Sequence, residues 1–125
     1  RFQIVGYLGF SFILTGLSEE ILFRGFMHTF LSKFIKGIWN WGQMEMPIAG
    51  FVATIIFTIA HIGFSIAPFE IWHLNPLQLV QAFVLGIFYS WAYHKTGSLL
   101  APILAHNISN GSIRVMDYLL YWIHM

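Results

Sequence analysis

The chain has 125 residues, 58% of them hydrophobic and 9% charged, with a mean hydropathy of +0.72 and a formal net charge of +1. A soluble domain carries about a quarter of its residues as charges, and a 14.4 kDa globule exposes much of its surface, so this composition excludes an ordinary water-soluble fold and requires a bilayer. Only six Lys and Arg leave no basic stripe for a phosphate backbone, which excludes nucleic acid as a partner, and the lack of cysteine removes disulfides, thiolate zinc sites and cysteine nucleophiles together.

Four apolar stretches follow one another along the chain. The first runs from Phe2 to about Phe34 and carries Glu19, Glu20 and Arg24; it exceeds one bilayer thickness and is expected to tilt, or to bend near Gly16. A loop with Lys33, Lys36, Gly37, Asn40 and Gly42 leads to the second, Pro47 to about Phe64, which holds Phe57 and His61. A loop from Ser65 to Asn75 without Lys or Arg precedes the third, Pro76 to about Tyr93. Lys95 and Gly97 then lead to the fourth, Leu99 to about Ile123, with His106, Asn107 and Asn110. Each stretch can span a bilayer, and none alternates as a barrel strand would. The expected fold class is therefore all-α: an integral membrane, multi-pass helical bundle of about four transmembrane helices, residues 1–125 forming one core. The opening Arg1-Phe2-Gln3, without Met, suggests part of a longer protein. Lys33, Lys36 and Lys95 fall on one side, which the positive-inside rule assigns to the cytoplasm.

Ionisable residues inside apolar helices are functional candidates because each costs about 2.5 to 3.5 kcal/mol at the bilayer centre. At about 1.5 Å rise per residue, Glu20 lies ~20 Å from Lys33, His61 ~21 Å from Pro47 and His106 ~16 Å from Lys95, so all three sets reach a similar depth. Glu20 and Arg24 are four apart and can pair, whereas Glu19 projects about 100° away and stays available as a base or ligand. His106 and Asn110 share a face, and Phe57 stands one turn before His61, where it can cover the imidazole. Each set alone has a plainer use: a helix-locking ion pair, a satisfied core histidine, an interhelical hydrogen bond. Their common depth favours one site. His28, His73, His94 and His124 read as interfacial, the tryptophans as an aromatic belt, Glu45 and Glu70 as solvated loop acids, Ser109 as a packing hydroxyl, and Arg114 with Asp117 as a self-neutralising pair.

Glu19-Glu20-x-x-x-Arg24, Phe57-x-x-x-His61 and His106-x-x-x-Asn110, in this order, resemble the three signatures of the CAAX protease and bacteriocin-processing family of intramembrane proteases, from about Gly16 to Asn110. The resemblance implies an all-helical membrane fold whose catalytic half this chain supplies, with a cavity open to the cytoplasm. It makes Glu19 the base that activates a water, His61 a residue that holds or deprotonates it, and His106 with Asn110 the oxyanion stabilisers. Glu20, Arg24 and Phe57 become supporting residues. The implied activity is endoproteolysis of a membrane-bound or lipidated substrate, of the CAAX type or otherwise, with lipids as the other partners. Zinc held by Glu19, His61 and His106 stays open as a cofactor, since two histidines and a glutamate match a catalytic zinc site. Two further readings stay open: a proton- or ion-coupled transporter module, and a non-catalytic immunity or scaffold relative.

Overall fold

The computed structural model describes residues 2–123 and contains four helical stretches. The first is continuous in three parts: α1 (Phe2–Glu20), a π-helical segment (Ile21–His28) and the short α2 (Thr29–Leu31). The others are α3 (Ile48–Ile59), α4 (Pro76–Thr96) and α5 (Leu100–Ile123). The irregularity expected at Gly16 falls at Ile21 instead, where α geometry gives way to π. Gly16 itself is spanned by a tie from α5: Asn107 Oδ1 accepts from the Gly16 N–H at 2.8 Å, and Asn107 Nδ2 donates to Ile13 O at 3.1 Å.

Local chemistry sets the boundaries. At α4 the Asn75 side chain accepts from the Gln78 N–H at 3.2 Å and Pro76 occupies the first turn. Gly97, at φ 65°, donates to Tyr93 O at 2.9 Å and closes the helix three residues beyond the expected end. α3 is shorter than expected at both ends. Pro47, with ψ 140°, belongs to the preceding strand, and the chain leaves the helix after Ile59.

The structure is mostly helical, as expected, and its two longer connections, expected as loops, are antiparallel β-hairpins. β1 (Ile38–Trp41) pairs with β2 (Met44–Pro47), and β3 (Gly63–Ile66) with β4 (Phe69–His73). In the first, Trp39 and Trp41 alternate with Asn40 while Met44 and Met46 alternate with Glu45, so apolar and polar residues take opposite faces. Gly42, at φ 63°, opens the two-residue turn. The apolar face docks on α3 through Trp39 and Phe51, whose rings lie 5.1 Å apart.

α1 packs on α5, α5 on α4, α4 on α3, and the π segment on α3. The interior is polar. Glu20, Arg24, Thr54 and Ser90 are completely buried, and Ala49 and Ala53 fill the remaining space. The Thr54 hydroxyl donates to Gly86 O (3.1 Å) and accepts from Ser90 Oγ at 3.0 Å. Large apolar side chains lie outside instead: Leu14, Leu17, Val80, Val84, Leu104 and Ile108 are all exposed. Among the described residues, no helix is both long and apolar enough to cross a membrane. The bundle is present, but its helices do not qualify as the expected spans. Twelve-residue α3 reaches only ~18 Å against a hydrocarbon core of about 30 Å, and polar residues interrupt the others.

Candidate active site

Four elements bring their polar residues to one place. Glu19 and Glu20 end α1, Arg24 follows in the π segment, His61 lies in the turn just after α3, and His106 and Asn110 are on α5. π geometry is often found at functional sites, and this eight-residue segment begins directly after the two glutamates.

Glu20 and Arg24 pair as their spacing requires, with Arg24 Nη1 donating to Glu20 Oε1 at 3.1 Å. Both are wholly buried, so the pair needs further partners to offset its desolvation. Arg24 Nη2 donates to Gly86 O at 2.9 Å, and its guanidinium lies 4.5 Å from the centre of the Phe57 ring. Glu20 has a second partner that spacing did not reveal: the same oxygen is 2.7 Å from His106 Nδ1. The carboxylate thus ties π segment and α5 together through Arg24 and His106. Tyr89, from α4, stacks on the His106 ring at 4.8 Å and 14°.

His106 reaches across to the other glutamate as well. Its Nε2 lies 3.7 Å from Glu19 Oε2, which has no hydrogen-bond partner among the described residues. The side chain of Glu19 is 32% exposed, against none for Glu20, so adjacent carboxylates occupy opposite environments. His61 sits where a helix end leaves carbonyls unpaired. Its backbone N–H goes to Thr58 O, and its Nδ1 lies 2.8 Å from Phe57 O. A carbonyl oxygen only accepts, so Nδ1 carries the proton and Nε2 is left for other work. The Phe57 ring meets His61 edge-on at 4.7 Å and His106 at 5.8 Å.

Glu19, His61, His106 and Asn110 all line one open cavity of about 750 Å³. The start of α4 forms its opposite wall with Gln78 and Gln81, while Lys95 stands ~28 Å further along that helix. The cavity therefore lies at the end of the bundle away from Lys95. Charged and uncharged donors surround a space large enough for a peptide segment and a water, beside the partly exposed carboxylate of Glu19. Such a set can activate water and receive a developing negative charge. Among the described residues no three His, Asp or Glu side chains stand together as a metal-holding group.

Other residues depart from their sequence reading. His28 is not interfacial but 3% exposed, its ring packed so closely on Gly50 that a Cβ there would lie 2.7 Å from Cε1. His73 belongs to β4, lines the cavity and bonds Gln78 Oε1 at 2.9 Å. His94, Glu45 and Glu70 are exposed as expected, and Ser109 donates to Ala105 O within its helix at 2.8 Å. Trp39, Trp41 and Trp72 lie on hairpins rather than helix ends; His124 falls outside the described residues. Arg114 and Asp117 do pair, at 3.4 Å, but both also line the cavity.

A family model described as type II CAAX prenyl endopeptidase Rce1-like matches residues 1–112. An uncharacterised 24.3 kDa protein of Escherichia coli is 31% identical over 96 residues, covering 76% of this chain and 36% of that protein. The membrane-embedded CAAX protease MroQ of Staphylococcus aureus (strain USA300) is 29% identical over 113 residues, covering 90% and 40%. The uncharacterised protein YpbD of Bacillus subtilis (strain 168) is 28% identical over 104 residues, covering 83% and 42%. The chain spans about two fifths of the length of these curated relatives. No solved structure matches it.

Proposed function

The chain belongs to the Rce1-like family of type II CAAX prenyl endopeptidases, and from that premise we propose that it is an intramembrane endopeptidase hydrolysing a peptide bond of a membrane-associated substrate with a water activated by Glu19. The observation that carries the reading is the meeting of Glu19, His61, His106 and Asn110 on one cavity, from three separate helical stretches. A relative whose name is that of a membrane-embedded CAAX protease supports it.

Glu19 is the base. Its partly exposed carboxylate takes a proton from a water as the water oxygen bonds to the scissile carbonyl carbon. His61 Nε2, left as acceptor by the Nδ1–H bond to Phe57 O, orients that water. The carbonyl electron pair moves to oxygen, which Asn110 Nδ2 and the His106 ring, anchored on Glu20 through Nδ1, stabilise. Collapse breaks the C–N bond, and Glu19 passes its proton to the departing amine. Glu20 and Arg24 hold His106 and the π segment in place, and Tyr89 fixes the plane of the His106 ring.

The same reading places the bundle in a bilayer. Its apolar residues face outward and its ion pair is buried, the reverse of a soluble core. Polar residues on the inward faces dilute each helix's hydropathy without spoiling the lipid-facing side. Two orientation expectations now separate: with Lys33, Lys36 and Lys95 in the cytoplasm, a cavity at the other end of α4 would open away from it. The orientation proposed is the one in which the active site faces the cytoplasm, with membrane-bound or prenylated peptides as substrates.

The test is to reconstitute the full-length protein in liposomes with such peptides and to identify the fragments by mass. Defined fragments that vanish with His106→Ala are expected. Cleavage retained in that variant sinks the mechanism, and flux of ions without proteolysis would favour a transporter. Zinc analysis on the same preparation reads the metal question: activity lost to a chelator and restored by stoichiometric zinc would replace the metal-free scheme.

A further inference from the structure

A second, smaller cavity of about 230 Å³ opens between the first hairpin, α3 and α4, and it shares no lining residue with the catalytic one. Trp39, Trp41 and Met46 line it from the hairpin and Phe51, Phe83 and Ile87 from the helices, so its walls are aromatic, aliphatic or thioether throughout. Trp39 and Trp41 stack at 6.5 Å and 13° yet stay 53% and 76% exposed, which leaves their outer faces without protein cover. A dry apolar cavity of about 150 Å³ already holds a benzene ring, so this slot takes a longer apolar group. The flexible thioether of Met46 adapts to a chain without fixed shape.

The charges around the slot select its occupant. Lys36 stands three residues before Trp39, within ~10 Å at about 3.3 Å per residue, and Lys95 stands eight residues beyond Ile87, ~12 Å along α4. Both are exposed. Lys36 Nζ donates to Ser32 O at 2.6 Å and keeps two further N–H groups. Glu45, the acid of this hairpin, projects from the face opposite Met44 and Met46. The polar layer on each side of a bilayer is about 5 to 8 Å thick, so ammonium groups at headgroup level put the slot among the first segments of the acyl chains.

We propose that this slot is a binding site for one acyl chain of an anionic phospholipid whose negative headgroup sits in the field of Lys36 and Lys95. The site goes beyond the hydrolase reading: it rests on the bilayer placement and uses none of the catalytic side chains. A chain seated there covers Trp39 and Trp41 and holds the hairpin against α3 and α4.

Phospholipids brominated on the acyl chain quench tryptophan on contact, which makes Trp39 and Trp41 the reporters. The full-length protein is reconstituted in phosphatidylcholine vesicles with brominated phosphatidylglycerol or brominated phosphatidylcholine as a minor component. The signal of the site is the quenching lost in a Trp39→Phe/Trp41→Phe variant. Phosphatidylglycerol is expected to act at about 25-fold lower mole fraction than phosphatidylcholine, and Lys36→Gln and Lys95→Gln each to cut that advantage about fivefold. Quenching by phosphatidylcholine is expected to stay unchanged in both lysine variants, which a merely structural role would not allow. Ile87→Phe, which fills the slot, is expected to remove the signal for both lipids. Equal quenching by the two lipids, or an advantage that survives both lysine substitutions together, overturns the proposal. So do tryptophans that no brominated lipid reaches because another segment of the chain or a partner covers them. Every outcome is read without cleavage, so the site can fail while the hydrolase reading stands, and the reverse.

Discussion

Two neighbouring carboxylates, Glu19 and Glu20, have different surroundings. Glu20, with no exposure, is held by Arg24 and His106 through its Oε1, out of reach of water in the cavity. Replacing it by Gln leaves the buried Arg24 charge uncompensated, and the expected cost is about 3 to 5 kcal/mol, read as a lower unfolding midpoint in detergent. Asn107 makes a comparable point for an uncharged residue. Its amide holds both Gly16 N–H and Ile13 O, and Asn107→Ala is expected to cost about 1 to 3 kcal/mol without changing the catalytic side chains. A midpoint unmoved by either substitution would show that these contacts do not hold the bundle.

Between elements, close approach matters more than side-chain bulk. Gly86 lets α4 reach α3: a Cβ there would lie 2.9 Å from Thr54 Cγ2, 3.1 Å from Phe57 Cδ1 and 3.2 Å from Arg24 Nη2. Gly86→Ala is therefore expected to destabilise by about 1 to 3 kcal/mol and to lower activity through Phe57 and Arg24. An unchanged melting curve and rate would contradict this. The same scale shows what was legible in the sequence. The motif residues were, because Glu20 and Arg24, Phe57 and His61, and His106 and Asn110 each sit four apart on apolar segments. The contact of Glu20 with His106 was not, since it joins residues 86 apart and depends on how α1 packs on α5. Tyr89 stacking on His106 carried no local signal either. The hairpins did leave one, in the alternation of Trp39, Asn40 and Trp41 before Gly42, but it was hidden by the expectation of polar loops. The end of α3 before His61 was missed because Ile59, Ala60 and Ile62 continue an apolar run that hydropathy alone reads as helix.

Across the whole molecule the distribution of polarity is inverted, and that carries the membrane proposal. Ile66, Phe69 and Trp72 on the second hairpin are more than 70% exposed, and the helices present Val, Leu and Phe outward. The protein is accordingly expected to stay with membranes through alkaline carbonate washing and to need detergent for extraction; release by the wash would contradict bilayer embedding. Because the chain has no cysteine, a single introduced one reports sidedness cleanly. Leu74→Cys, beside the cavity wall, is expected to react with an impermeant maleimide from the cytoplasmic side, and Lys36→Cys from the opposite side. The reverse result would make the lysines obey the positive-inside rule and turn the cavity away from the cytoplasm.

The central claim is that Glu19, and not its neighbour, supplies the base for peptide hydrolysis. It is tested most directly by kcat of Glu19→Gln beside wild type on one cleaved peptide, with unfolding midpoints measured on the same samples. Loss of about 100-fold to 10,000-fold in kcat at an unchanged midpoint is expected. Near-wild-type turnover in Glu19→Gln would contradict the mechanism.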